Sequence, residues 1–228
     1  MILNLPSLAN CDLMELPEQV DELVAAGVTM FHIDLMDGHY VPNLCFPVRV
    51  ISDIKQRHPH VQFDAHMMVD NPADYIDELA DAGATHMAFH ADATSFAVRT
   101  LSACKKRGMG AGVAINPSMP IDIIRPYVHL LDYVILMTVE PGFSGQPFLD
   151  GSLERLSELS ALRAETGSDF KIEIDGGVTP ELAPELVKRG ADWLVTGIYV
   201  TFNHPEGITA AVKKFADQME QAEREFRS

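Results

Sequence analysis

Eight short runs of β-forming residues, each followed by a run with helical spacing, most tightly limit what this chain can fold into. Candidate strands are Ile2–Leu5, Met30–Leu35, Gln62–Met68, His86–Phe89, Gly110–Ile115, Tyr133–Met137, Lys171–Asp175 and Trp193–Thr196. Candidate helices lie near 17–26, 46–57, 72–82, 94–107, 120–129, 150–166, 180–189 and 206–226. Such alternation calls for a parallel sheet, because a strand that returns in the same direction needs a crossover, usually a helix. Helix ends are marked: Ala26-Gly27-Val28, Ala82-Gly83-Ala84 and Arg189-Gly190-Ala191 each place a glycine where a left-handed residue closes the last turn. Helix starts are marked by Asn71-Pro72 and Thr179-Pro180, a capping side chain before a proline at the first helical position. No linker, low-complexity segment or charge block divides the chain. Residues 1–228 are therefore expected to form one (β/α)₈ barrel domain, an α/β fold that typically takes about 250 residues and manages with roughly 200. An open doubly wound sheet is the alternative; the eighth unit and the lack of G-x-G-x-x-G after the first strand argue against it.

Composition narrows the partners. With 47% apolar residues the chain has enough for a sizeable core. A formal charge of −16 repels nucleic acid and anionic membranes, so neither is an expected partner. The same charge repels a phosphorylated ligand at long range, so an anion would need a local device such as a metal or helix N-termini. No apolar run approaches the ~18 residues that span a bilayer. The N-terminus, Met1-Ile2-Leu3-Asn4-Leu5-Pro6, has neither the basic region nor the cleavage site of a signal peptide. Three widely spaced cysteines, Cys11, Cys45 and Cys104, fit neither a disulfide framework nor a cysteine zinc site, and point to a reducing cytoplasm.

In such a barrel the chemistry sits at the C-terminal ends of the strands. His32 and Asp34, two apart in the second strand, share a face there, and Asp64, His66 and Met68 do so in the third. Buried polar groups of this kind are costly unless something pairs with them. The seventh strand ends in Asp175-Gly176-Gly177, and Glu173 shares the face of Asp175 and needs a partner that pattern does not supply. His32, Asp34, His66 and Asp175 make a two-histidine, two-carboxylate set suited to Zn²⁺, Fe²⁺, Mn²⁺ or Co²⁺. Each residue alone reads more simply as a satisfied core histidine or a loop cap; convergence on one rim favours a metal. His90 reads as a rim residue.

Glycine turns follow three consecutive strands: Pro141-Gly142-Phe143-Ser144-Gly145-Gln146, Gly176-Gly177 and Gly197. Together they suggest a phosphate, since glycine lets backbone N–H groups approach an anion and barrel phosphate sites follow strands seven and eight. Met36, Met68 and Met137 reach the same rim; methionine is usually core filler, but here it would line a pocket.

These segments resemble the ribulose-phosphate 3-epimerase family over nearly the whole chain. The resemblance is carried by Pro6-Ser7-Leu8, by His32-Ile33-Asp34-Leu35-Met36-Asp37-Gly38-His39-Tyr40-Val41-Pro42-Asn43 and by Asp64-Ala65-His66-Met67-Met68-Val69. Asn116-Pro117, Met137-Thr138-Val139-Glu140-Pro141-Gly142-Phe143 and Glu173-Ile174-Asp175-Gly176-Gly177 complete it. It implies a (β/α)₈ barrel with one divalent metal on His32, Asp34, His66 and Asp175, and acid/base roles for Asp34 and Asp175. Substrate contacts are implied at Ser7, His66, Gly142, Phe143, Ser144, Gly145, Gly176, Gly177, Gly197 and Ile198. The expected partner is a small sugar phosphate and the expected assembly a homo-oligomer. The expected reaction is epimerisation at carbon 3 of D-ribulose 5-phosphate through an enediolate, with Asp37 reduced to a loop-shaping residue.

Two positions depart from the family pattern: Ser144 replaces a glycine and Ile198 replaces a serine. The loop 142–148 and the segment Thr201-Phe202-Asn203-His204 look more like the allulose-6-phosphate 3-epimerase branch, which makes that hexulose phosphate the rival substrate. A decarboxylase or aldol-type barrel would carry Asp-x-Lys-x-x-Asp on a strand; the nearest match, Asp53-Ile54-Lys55-Gln56-Arg57-His58, ends in histidine within a candidate helix. A non-catalytic sugar-phosphate-binding barrel is the alternative of another class.

Overall fold

A computed structural model describes residues 2–226. Eight parallel strands are present: β1 (Leu3–Pro6), β2 (Met30–Asp37), β4 (Gln62–Met68), β5 (His86–His90), β6 (Gly110–Ile115), β7 (Tyr133–Met137), β8 (Lys171–Asp175) and β9 (Trp193–Thr196). They pair in the order β1-β9-β8-β7-β6-β5-β4-β2, and a parallel bridge between Ser7 and His32 joins β1 to β2 and closes the barrel. The expected (β/α)₈ fold is the one observed. A short strand not expected from sequence, β3 (Leu44–Cys45), pairs antiparallel with the end of β2 and carries that strand two residues further, to Asp37. Two residues are too few to show a period of two.

The barrel is wrapped by α1 (Leu16–Ala25), α2 (Arg49–Arg57), α3 (Ile76–Ala82), α4 (Ala97–Lys106), α5 (Ser152–Thr166), α6 (Ala183–Lys188) and α7 (Ile208–Phe226). Gly27, Gly83 and Gly190 take left-handed φ values of 103°, 94° and 109°, the expected helix stops. Two expectations fail locally. The helix expected over 120–129 is a kinked 3₁₀ segment, Ile121–Leu130, because Pro126 lies inside it; proline has no N–H to give and crowds the preceding turn. Asn71 caps nothing with its side chain: it is itself left-handed, φ 54°, and leads into a 3₁₀ turn, Pro72–Tyr75, ahead of α3. Thr179 accepts a bond from the Leu182 N–H at 3.3 Å within the turn that leads into α6, which itself begins later than expected, at Ala183, without a side-chain cap. Among the described residues no helix is long and apolar enough to cross a membrane.

Alternation along the strands sorts side chains into two compartments. Phe31, Ile33, Phe63, Met87, Phe89 and Val113 pack outward against the helices. Inside the barrel, Leu5, Met30, Tyr133, Ile135 and Trp193 fill the lower layer. Tyr133, Trp193 and His86 meet there with ring centroids 5.2–5.6 Å apart. Gly112 makes room for this plug, since a Cβ at that position would stand 2.5 Å from the Tyr133 ring. The interior is thus filled from below, and the polar residues of β2, β4 and β8 are stacked above it, toward the C-terminal mouth.

Candidate active site

Strand register assembles the polar layers. His32 pairs with Asp64, Asp34 with His66 and Met36 with Met68 across β2 and β4. Asp34, His66 and Asp175 therefore sit one step above His32, Asp64 and Glu173, with Met36, Met68 and Met137 at the mouth. Four atoms close into a ring. His32 Nε2 lies 3.4 Å from Asp34 Oδ1 and 3.6 Å from Asp175 Oδ2; His66 Nδ1 lies 3.5 and 3.3 Å from the same two oxygens.

This ring fits a divalent cation. Both histidines are fully buried, and His32 Nε2 and His66 Nδ1 have no hydrogen-bond partner. A buried polar atom left unpaired is costly, so these two nitrogens await something at the ring's centre. Ligands ~2.0–2.1 Å from one centre stand about 3.3 Å apart in a tetrahedron, close to the spacing observed. Mixed imidazole and carboxylate donors suit the first-row divalent ions.

The far side of each histidine is held. His32 Nδ1 is hydrogen-bonded to Asp64 Oδ2 at 2.8 Å, and Glu173 Oε1 approaches the same nitrogen at 3.0 Å without a hydrogen bond of its own. Tyr133 donates its hydroxyl to Asp64 from below. Burial opposes the charge on Asp64, but His32 and Tyr133 overcome it and hold the carboxyl ionised; burial and neighbouring Asp64 push Glu173 well up, so it stays neutral. Such carboxylate–histidine pairs fix ring orientation and strengthen the ligand. His66 Nε2 meets His90 Nε2 at 2.9 Å. His90 is therefore no rim residue: it is fully buried, and a period of two counted from His86 turns it inward.

Burial alone would push both site histidines down. The carboxylates outweigh it: Asp34 and Asp175 raise His32 well above the usual range, and Asp175 and Asp34 raise His66 to about 9. Burial also opposes the charge on Asp34, yet the two imidazoles hold it ionised. Ser7 donates to Asp34 Oδ2 at 2.7 Å and so leaves Oδ1 to the ring.

A cleft with a cavity volume of about 80 Å³ opens over this cluster. Every site residue singled out in the sequence lines it except His32 and His66, which lie buried beneath its floor. One wall is the turn Gly142-Phe143-Ser144-Gly145; Gly176-Gly177 and Gly197-Ile198 complete it. The turn is pinned by side chains. Asn43 donates to the Gly142 carbonyl at 2.8 Å, Gln146 to those of Glu140 and Phe143 at 2.7 and 2.8 Å, and Tyr199 to that of Gly145 at 2.7 Å. Gly177 has φ 65°, and a Cβ there would stand 2.4 Å from the Phe148 amide nitrogen, so only glycine lets the two loops approach. The Ile198 side chain reaches across toward Gly145, 3.2 Å from where a Cβ would sit, and brings no hydroxyl to the cleft. Asn10 and Tyr199 also line the cleft and were not singled out, since a loop residue carries no period to read. Asp37 shapes the loop as expected, accepting from the backbone N–H groups of His39, Tyr40 and Asp70 at 2.7–3.0 Å.

A closed (β/α)₈ barrel with ionised carboxylates and buried histidines under an open cleft at its C-terminal mouth defines a barrel enzyme that handles a small polar substrate. Comparison with known proteins makes this specific. Residues 4–201 match the model of the ribulose-phosphate 3-epimerase family, and the chain belongs to that family. Ribulose-phosphate 3-epimerase from Treponema pallidum is 38% identical over 192 residues, 84% of this chain and 88% of that protein. The enzyme of that name from Bacillus subtilis is 37% identical over 198 residues, 86% and 91% of the two chains; the one from Escherichia coli K12 is 35% identical over 214 residues, 94% and 92%. The protein is an enzyme of the epimerase class. Solved barrels share the fold at lower identity. KGPDC from Streptococcus mutans has a TM-score of 0.72 at 12% identity, covering 97% of this chain and 99% of that one. The 3-hexulose-6-phosphate synthase from Salmonella typhimurium has a TM-score of 0.71 at 18% identity, covering 97% and 100%.

Proposed function

We propose that the protein interconverts D-ribulose 5-phosphate and D-xylulose 5-phosphate, with a divalent metal ion on His32, Asp34, His66 and Asp175. In this reading Asp34 and Asp175 are the two acid/bases. The observation that carries it is the pair of carboxylates, one from β2 and one from β8, that meet at a single ring of donors with the β9 and β1 strands between them. Inverting carbon 3 of a 2-ketose requires a proton to leave one face and return to the other, so one carboxylate on each side of the substrate is the economical solution.

Loss of that proton leaves negative charge spread over an enediolate, and a bound divalent cation would supply the positive charge that stabilises it. The residues do the rest. Asp34, kept ionised by His32 and His66 and oriented by Ser7, is the group that accepts a proton on its side. Asp175 faces the same space from β8 and returns a proton on the other side; the roles exchange with direction. Met36, Met68 and Met137 shield the reacting carbon from water without offering a competing acid. The turn at 142–145, with Gly176, Gly177, Gly197 and Ile198, receives the phosphate through backbone N–H groups, which needs no side-chain hydroxyl at 198.

The direct test is turnover in D₂O, read by NMR or mass spectrometry. One solvent deuterium is expected at carbon 3 of recovered sugar phosphate, and absence of exchange would overturn the chemistry. Comparing kcat/KM for ribulose 5-phosphate with that for allulose 6-phosphate tests the substrate separately. The pentulose is expected to be favoured; the reverse order would transfer the assignment to the hexulose and leave the chemistry standing.

Metal uptake should also release protons. Because His66 is raised to about 9 without the ion, its Nδ1 carries a proton near neutral pH that the ion must displace. Affinity is expected to rise with pH and the His66 contribution to vanish above about 9. Calorimetry in buffers of different ionisation enthalpy reads this directly, with at least one proton released per ion near neutral pH. No release there would contradict the assignment of His66.

A further inference from the structure

Tyr199 lines the cleft, yet the proposed reaction gives it no part. Its backbone is firmly held. After β9 the chain makes a single π-helical turn, Ile198–Phe202, in which the N–H groups of Val200, Thr201 and Phe202 converge on the Gly197 carbonyl at 3.3, 2.8 and 3.3 Å. Such widened turns are rare and cluster at functional sites. Val200 and Thr201 are buried. The Thr201 hydroxyl meets that of Thr196 at 2.9 Å, and Thr196 donates to Asn4 Oδ1 at 2.7 Å, so the turn is tied to β9 and through it to β1. Tyr199 stays exposed and carries its hydroxyl across to the Gly145 carbonyl at 2.7 Å.

The wall it reaches is built differently. Phe143, Ser144 and Gly145 are exposed, so little packing fixes the turn and a few side-chain bonds place it. Asn43 holds the carbonyl at one end, that of Gly142, while Gln146 bonds within the turn, to Glu140 and Phe143. Tyr199 holds the other end, at Gly145, where the Ile198 side chain stands beside it.

We propose that Tyr199 is a clasp that ties the Gly145 end of the turn to the anchored segment after β9, and so fixes the reach from the donor ring to the phosphate-receiving wall. Tyr199 is thus a positioning residue that selects substrate length. The inference rests on reading that wall as the phosphate site. A ketose phosphate is then held at both ends, by its oxygens at the donor ring and by its phosphate at the turn. A fixed reach suits one chain length, since one carbon more or fewer displaces the phosphate or the reacting carbon.

Tyr199→Phe keeps the ring and removes the bond. KM for the preferred sugar phosphate is expected to rise about 3–10-fold, the scale of one net hydrogen bond, with the loss in KM rather than kcat. The ratio of kcat/KM between ribulose 5-phosphate and allulose 6-phosphate is expected to narrow by a similar factor, whichever sugar the wild type prefers. An unchanged ratio would overturn the role in length selection, and equal use of both sugars by the wild type would contradict a fixed reach. A loss seen in Tyr199→Ala but not in Tyr199→Phe would assign it to ring bulk and overturn the clasp. Amide hydrogen exchange on the substrate-free protein is the second readout. Residues 143–146 are expected to exchange faster in Tyr199→Phe than in the wild type, and unchanged exchange would overturn the clasp. If the wild type turns over neither sugar, the proposed function fails, while the exchange comparison still decides the clasp.

Discussion

Asp175→Asn is expected to lower kcat on ribulose 5-phosphate by about 10³–10⁴-fold, the upper part of the range for losing a general acid/base. The substitution keeps the shape of the side chain, so the Gly176-Gly177 turn that follows it and the Thr138 hydroxyl that bonds the Asp175 and Gly176 carbonyls are undisturbed. What it removes is the carboxylate that faces Asp34 across the donor ring. Because Asp175 is also one of the four donors, metal content must be measured on the same sample. A variant that retains its ion and loses turnover isolates the proton-transfer role; one that loses both shows the ligand role dominating. Near wild-type turnover with the ion retained would end the two-carboxylate mechanism. Asp34→Asn is expected to block epimerisation alike, with any deuterium label confined to the face that Asp175 serves.

Stripping the protein with a chelator is expected to abolish turnover, and adding back Zn²⁺, Fe²⁺, Mn²⁺ or Co²⁺ to restore it to degrees that identify the preferred ion. Activity that survives complete removal would refute metal dependence. Stability should fall in parallel. An ion present at ~100 times its Kd that binds only the native state contributes about 2.7 kcal/mol. At roughly 2–4 °C per kcal/mol for a chain of this length, the melting midpoint is expected to drop by about 5–10 °C. The reason is local: without the ion, His32 Nε2 and His66 Nδ1 are buried with no partner, and the protons they acquire restore only part of what the ion supplied.

The strands that carry the donors were legible because their pattern is strong. Buried strands of a barrel read as nearly continuous apolar runs, and a polar residue inside such a run, as at His32, Asp34 or His66, stands out. The glycine helix stops were legible for an equally local reason, since few residues other than glycine accept a left-handed backbone. Where reading failed, the deciding term was not local. Pro126 broke a helix whose apolar spacing was sound, and Asn71 adopted the left-handed conformation that its own capping role would forbid. β3 exists only because the end of β2 offers it an edge.

The candidate site divides in the same way. By itself the sequence determined the fold class, the four candidate donors and the faces they share, because a period of two is a property of each strand alone. It also placed the glycine turns after successive strands. Tertiary structure decided how those strands line up and what stands behind them. Register set Asp34 opposite His66 and His32 opposite Asp64, giving a ring of donors above a ring of supports. Closure of the barrel brought β2 and β8 near enough for Glu173 to stand 3.0 Å from the His32 Nδ1 that Asp64 holds. It also converted His90 from an apparent rim residue into the buried partner of His66. These pairings join residues tens of positions apart, and hydrogen bonds are short and directional. Only the folded chain brings such atoms within reach of one another.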